Sequence, residues 1–144
     1  MSAADLARFG LFADLTPSEL ELLASVAEEQ ALRAGELLCL EGSEADGAIL
    51  LLDGELECTR DGSGELGRID APAALGLASL AYNGNREATL KAVSPARVLL
   101  LTRTGFHRFS QDAPTAAVRV LEGVVNELAG ALQGSLELLV PPRG

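Results

Sequence analysis

Gly76 and Arg86 are the residues whose types and spacing suggest chemistry in this chain. They lie in LGLASLAYNGNREATL, Leu75 to Leu90, where a glycine opens a short apolar turn, Asn83-Gly84-Asn85 follows and an arginine comes next. This is the layout of a phosphate-binding loop. Glycine lets backbone approach a ligand closely, a turn offers N–H groups, and a guanidinium pairs with phosphate through two parallel donors. Two neighbours work against that chemistry: Glu87 sets a carboxylate beside the arginine, and Leu77 is apolar. A plainer reading stands beside each: Arg86 as a surface or ion-paired arginine, Leu77 as core, Gly76 and Gly84 as turn glycines, and Tyr82, Asn83 and Asn85 as loop polarity.

Other chemistries find little support. The single histidine, His107, has Ser110 and Asp112 close by in sequence, but a catalytic triad is assembled in space from separate segments. A metal-binding jelly roll needs several histidine and glutamate ligands, which one histidine does not supply. Neither a P-loop nor Gly-x-Gly-x-x-Gly occurs. No catalytic residue, metal site or cofactor is therefore expected, and the chain reads as a non-enzyme.

The elements around the loop are patterned for one globular unit. Hydrophobic residues make up 48% and charged residues 22% of 144 positions, which is a folding composition and one domain's length. No apolar run reaches the roughly 18 residues that span a bilayer, and MSAADLARFG lacks the basic lead and apolar core of a signal peptide. A cytoplasmic protein is expected, with Cys39 and Cys58 reduced in its core. The net charge of −10 argues against nucleic acid and anionic membranes as partners, because both require clustered basic residues.

Thr16, Pro17 and Glu19 form a capping box with proline at the first helical position, and Leu20, Leu23, Ala24 and Ala27 repeat at helical spacing. Phe9, Leu11, Phe12 and Leu15 make an apolar lead-in that should pack on the domain. From Ala31 to Thr102 short apolar runs alternate with turns at EGSEADG, Asp53-Gly54, Asp61–Gly64 and Ser94-Pro95. Asp53-Gly54 predicts a tight hairpin, and GELECTR alternates as a strand with one wet face. Many short strands with helices only at the ends read as a mainly β jelly roll or barrel with flanking helices.

Beyond TRTGFHRFSQD, Pro114 starts a long helix that Pro141 and Pro142 should end. Val118, Val125, Leu132 and Leu139 recur every seven residues with Leu121 and Leu128 between them. Such a seam fits a helix docked on its own barrel or one that meets a second copy. A second line, Ala117, Val120, Val124 and Ala131, allows one helix to do both. Gly123, Gly130 and Gly134 each weaken it by about 1 kcal/mol relative to alanine, so it needs something to pack on.

Taken together, the helix, the glycine-punctuated strands, the phosphate-type loop and the long last helix resemble the cyclic nucleotide-binding domain. That is the domain of the catabolite activator regulators, the regulatory subunits of cyclic-AMP-dependent kinase and gated ion channels. The resemblance covers residues 11–132, within one domain of residues 1–144. It is most specific in RAGELLCLEGSEADGAILLLDGELE, with Gly35, Gly42 and Gly54 at the expected turns, and in the cassette Leu75 to Leu90. It implies a double-stranded β-helix with an N-terminal helix and a long C-terminal helix.

In that family a Phe-Gly-Glu-Leu-Ala segment precedes Pro-Arg-small-Ala; the glutamate accepts from the ribose 2′-hydroxyl and the arginine pairs with the cyclic phosphate. The resemblance thus places the ligand contacts at Gly76, Leu77, Ala78, Arg86, Glu87 and Ala88. Leu75 replaces the aromatic, Leu77 the glutamate, Asn85 the proline and Glu87 the small residue. A hydrogen bond to a charged group contributes about 1.5–3 kcal/mol, so Leu77 alone weakens a cyclic nucleotide about ten- to hundredfold. A carboxylate about 4 Å from the phosphate adds about 4 kcal/mol of repulsion at an effective dielectric of 20. Asn126 and Gln133 occupy the helix from which relatives contact the base.

The expected partners are a second copy of the chain, through Val118, Leu121, Val125, Leu128 and Leu132, a protein partner suited to an acidic surface, and cyclic nucleotide weakly or not at all. The chain reaches Gly144 without a helix-turn-helix, so no DNA-binding domain is expected. Two functions remain: an interaction and regulatory module whose cyclic nucleotide site is weakened or lost, or a sensor that binds a small ligand through altered contacts.

Overall fold

The computed structural model describes residues 3–61 and 64–139. Gly62 and Ser63 of the expected third turn, Pro141 and Pro142, and the side chains of Ala131, Gly134 and Leu139 lie outside the described residues. The short helix α1 (Ala3–Leu6), a 3-10 turn (Gly10–Phe12) and α2 (Pro17–Ser25) come first. The α2 cap forms as its sequence requires: Glu19 N–H donates to Thr16 Oγ1 at 3.2 Å and Thr16 N–H to Glu19 Oε1 at 2.8 Å. Phe9, Leu11, Phe12 and Leu15 are all buried.

Ten strands follow among the described residues: β1 (Glu28–Leu32), β2 (Leu37–Cys39), β3 (Glu44–Ala45), β4 (Gly47–Asp53), β5 (Glu55–Arg60), β6 (Gly64–Asp70), β7 (Ala73–Leu75), β8 (Gly84–Asn85), β9 (Thr89–Ala92) and β10 (Ala96–Thr102). One sheet runs β1-β10-β4-β7, the second β2-β9-β5-β6, and β3 pairs with β8. Helices α3 (Arg103–Asp112) and α4 (Pro114–Leu139) follow β10. The mainly β jelly roll with flanking helices is as expected.

Strand β4 carries an unbroken apolar run because both its faces are covered. Ile49 and Leu51 point into the barrel with Leu56, Leu90 and Val98, while Ala48, Leu50 and Leu52 lie under the helices with Phe12, Phe106 and Phe109. Such double burial replaces the alternation of a half-wet strand.

The expected hairpin at Asp53-Gly54 does not form. β4 pairs with β10 and β7, whereas β5 pairs with β6 and β9, so the chain crosses there from one sheet to the other. A type I′ turn needs positive φ at both central residues; among the described residues no non-glycine residue has it, so of this pair only Gly54 does, at φ 93°. A Cβ on Gly54 would meet Pro95 O at 2.5 Å, so glycine permits the close passage of the two segments. The hairpin that does form joins β5 and β6.

Helix α4 divides its apolar lines as their phases predict. Ala117, Val120 and Val124 are buried against the barrel side, and Gly123 lets the helix approach Leu11 so closely that a Cβ would lie 3.0 Å from its carbonyl oxygen. Val118, Val125 and Leu132 stay exposed, Leu128 is 44% exposed, and Leu121 packs partly on the core.

Candidate functional site

Arg86 is seated by its backbone. Its N–H donates to Ser43 O at 2.7 Å, and its carbonyl accepts from Gly42 N–H at 2.8 Å. The Gly42 turn, with φ 83°, thereby holds the arginine at the end of β8, where Glu44 pairs with Asn85 and Ala45 with Gly84.

Gly76 supplies the other half. It is left-handed (φ 64°, ψ 31°) and opens the 3-10 turn Leu77–Leu80. A Cβ placed on it would stand 2.6 Å from Arg86 Nη1, so the guanidinium occupies the space a side chain would take. The Arg86 side chain is only 12% exposed, and Nη2 lies 3.7 Å from Asp46 Oδ1, on a carboxylate that is 73% exposed. An ion pair with so wet a partner contributes only about 0–1 kcal/mol. Among the described residues no salt bridge joins Arg86 to Glu87. The guanidinium is thus held in place without being consumed by a buried carboxylate.

These residues open onto a pocket of about 370 Å³ inside the barrel. Gly76, Leu77, Ala78, Arg86, Glu87 and Ala88 all line it, with Leu128 of α4 at its edge. Each proposed cassette residue is therefore brought to one cavity. Leu77 is also core, 6% exposed among the residues under the helices. Glu87 is exposed, and its backbone carbonyl accepts from Arg60 Nε at 3.1 Å. Of the α4 residues assigned to the seam, only Leu128 reaches the pocket wall. Asn126 and Gln133 are exposed and do not line it. His107 is exposed too, and Ser110 Oγ donates to its backbone carbonyl rather than to its ring.

Several residues of the site carry no local sequence signal. Cys39 and Cys58 form part of the pocket wall instead of filling a solid core. Both pair across to Leu90 from opposite sides of β9, a separation of two strands or about 9.5 Å. That exceeds the roughly 7 Å limit for a disulfide, and both thiols are free. Burial pushes the Cys39 thiol pKa up, and nearby Arg86 only partly offsets this.

Arg103, at the start of α3, braces the loop from behind. Its Nε donates to Ser79 O at 3.0 Å, and its Nη2 to Ala45 O at 2.8 Å and Tyr82 O at 3.2 Å. One guanidinium therefore joins the turn after Gly76, the segment before Arg86, and β3. Among the described residues no group of three or more His, Cys, Asp or Glu could hold a metal, and no helix is long and apolar enough to cross a membrane.

Comparison with known proteins places this geometry. Residues 29–113 match the family model of the cyclic nucleotide-binding domain. The cGMP-dependent protein kinases egl-4 of Caenorhabditis briggsae and Caenorhabditis elegans are 29% identical over 89 residues, 62% of this chain but only 12% and 11% of the kinases. The chain thus spans a small fraction of those relatives. A cyclic nucleotide-binding-like protein from Brucella abortus is 30% identical, with a TM-score of 0.66 over 76% of this chain and 97% of that one. The N-terminal domain of a transcriptional regulator from Streptomyces coelicolor shares the fold at a TM-score of 0.79 and 24% identity, covering 91% of this chain and 94% of that one. The catabolite activator protein of Thermus thermophilus does so at 0.75 and 23%, covering 90% and 62% respectively.

Proposed function

The chain belongs to the cyclic nucleotide-binding domain family, and from that premise we propose that it is a non-catalytic regulatory module with weakened affinity for cyclic nucleotides, self-associating through α4. The observation that carries the first part is the pocket's lining. Its charged side chains are Arg86 and the exposed Glu87, while Leu77, at the position of the family's ribose-binding glutamate, is buried among apolar neighbours. A ribose hydroxyl entering there loses its water without gaining an acceptor, which costs about 1–3 kcal/mol. Self-association is supported by the solvent-facing line of Val118, Val125, Leu128 and Leu132, whose seven-residue spacing suits a second helix.

Calorimetric titration with cyclic AMP and cyclic GMP to millimolar concentration tests the reading; cyclic GMP is included because the kinase relatives are named for it. Weak or no binding by the wild type, with a gain of about tenfold or more in Leu77→Glu/Glu87→Ala, is the expected result. Micromolar or tighter binding by the wild type would overturn it. The second reading, a small-molecule sensor, is favoured by the pocket itself, which remains about 370 Å³ in volume although Leu77 has joined the core.

A further inference from the structure

Resting on the reading that cyclic nucleotides bind weakly, we infer that the pocket takes a small monoanion with an apolar body, of the class of medium-chain aliphatic carboxylates. The charge follows from what faces the cavity. Among the described residues Arg86 is the one cation that lines it, nearly buried at 12% side-chain exposure, and its ion-pair partner Asp46 is mostly in water. A buried guanidinium with an open fork selects a carboxylate or similar anion. Asp46 beside the arginine and Glu87 next in sequence place negative charge around the same head group, which disfavours a second charge on the ligand.

The body follows from the walls. Beyond the arginine the cavity is bounded by Ile49, Ile69, Leu75, Leu77 and Leu90. The Cys39 thiol stays protonated because burial raises its pKa, so it adds no charge. Of the polar lining side chains, Tyr82, Asn85 and Glu87 are exposed, and Ser79 adds one buried hydroxyl. A chain of methylenes fits such walls, each buried CH₂ tightening binding about fourfold, whereas a sugar brings more hydroxyls than these walls have polar partners. Leu128 on the wall gives the apolar tail a direct contact with α4.

Octanoate, 1-octanol and cyclic AMP, titrated separately into the whole chain by calorimetry, test the inference. Octanoate is expected to bind at one saturable site, at least about tenfold more tightly than octanol, which has the same body without the charge. Arg86→Gln should abolish that difference, and the octanoate-octanol comparison in the wild type stands even if that variant does not fold. The two cysteines report location: bound octanoate should slow alkylation of Cys39 and Cys58 in the native protein. Equal affinity for octanoate and octanol, no saturable binding, or unprotected thiols would overturn the inference. If octanoate fails while Leu77→Glu/Glu87→Ala gains cyclic AMP, the weakened-site reading survives and this inference alone falls. Cyclic AMP binding by the wild type more tightly than octanoate would overturn this inference, and at micromolar affinity or tighter it would overturn both.

Discussion

Arg86 Nη1 lies where a side chain on Gly76 would have to be, 2.6 Å from the position of a Cβ. The two residues are ten apart in sequence yet share one space: the arginine can fold inward only because residue 76 has no side chain. The positive φ of Gly76 requires glycine independently.

Gly76→Ala should therefore act twice. The left-handed backbone costs about 1–2 kcal/mol for an L side chain, and the new methyl drives the guanidinium from its seat. A fall in thermal stability together with weaker anion binding by calorimetry is expected. An unchanged melting temperature and unchanged binding would show that the contact has no consequence.

Arg103→Gln should loosen the segment from Gly76 to Tyr82 without altering a residue that lines the pocket. Arg103 does not line the cavity, but its three hydrogen bonds to Ser79, Ala45 and Tyr82 carbonyls tie the loop to β3. Hydrogen bonds from charged groups contribute about 1.5–3 kcal/mol, so a stability loss of that order is expected by denaturant unfolding. Arg103→Lys should recover only part of it, because an ammonium does not reproduce the planar fork.

The two faces of α4 should answer differently to charge. Val125→Glu with Leu132→Glu lies on the exposed seam and should shift sedimentation toward the monomer with little change in melting. Val120→Glu, on the fully buried line, should destabilise the fold by at least about 3 kcal/mol, since it leaves a buried charge unpaired. A wild-type monomer at all concentrations would remove the self-association proposal.

Alkaline pH should destabilise the protein through Cys39. Burial raises its folded-state pKa above the ordinary thiol value, so above about pH 8.5 the unfolded chain releases a proton that the folded chain retains. The unfolded state then binds fewer protons, and stability falls as pH rises. The contribution is fully present below the unfolded pKa and is lost through the folded one. Cys39→Ala should flatten that alkaline decline in melting temperature measured between pH 7 and pH 10.

What the sequence determined by itself is local. The Thr16 cap, the left-handed glycines at 35, 42, 54 and 76, and the two phases of α4 are each written within a few residues of where they act, because hydrogen-bond geometry and side-chain periodicity are short-range. The turn that opens at Gly76 is readable for the same reason. Tertiary structure alone decided that Asp53-Gly54 crosses between sheets, that Cys39 and Cys58 face a cavity, that Asp46 and not Glu87 pairs with Arg86, and that Arg103 braces the loop. Those contacts join segments remote in sequence, 58 positions apart for Arg103 and Ala45. No local pattern specifies which carbonyl a guanidinium will meet; only closure of the barrel brings donor and acceptor together.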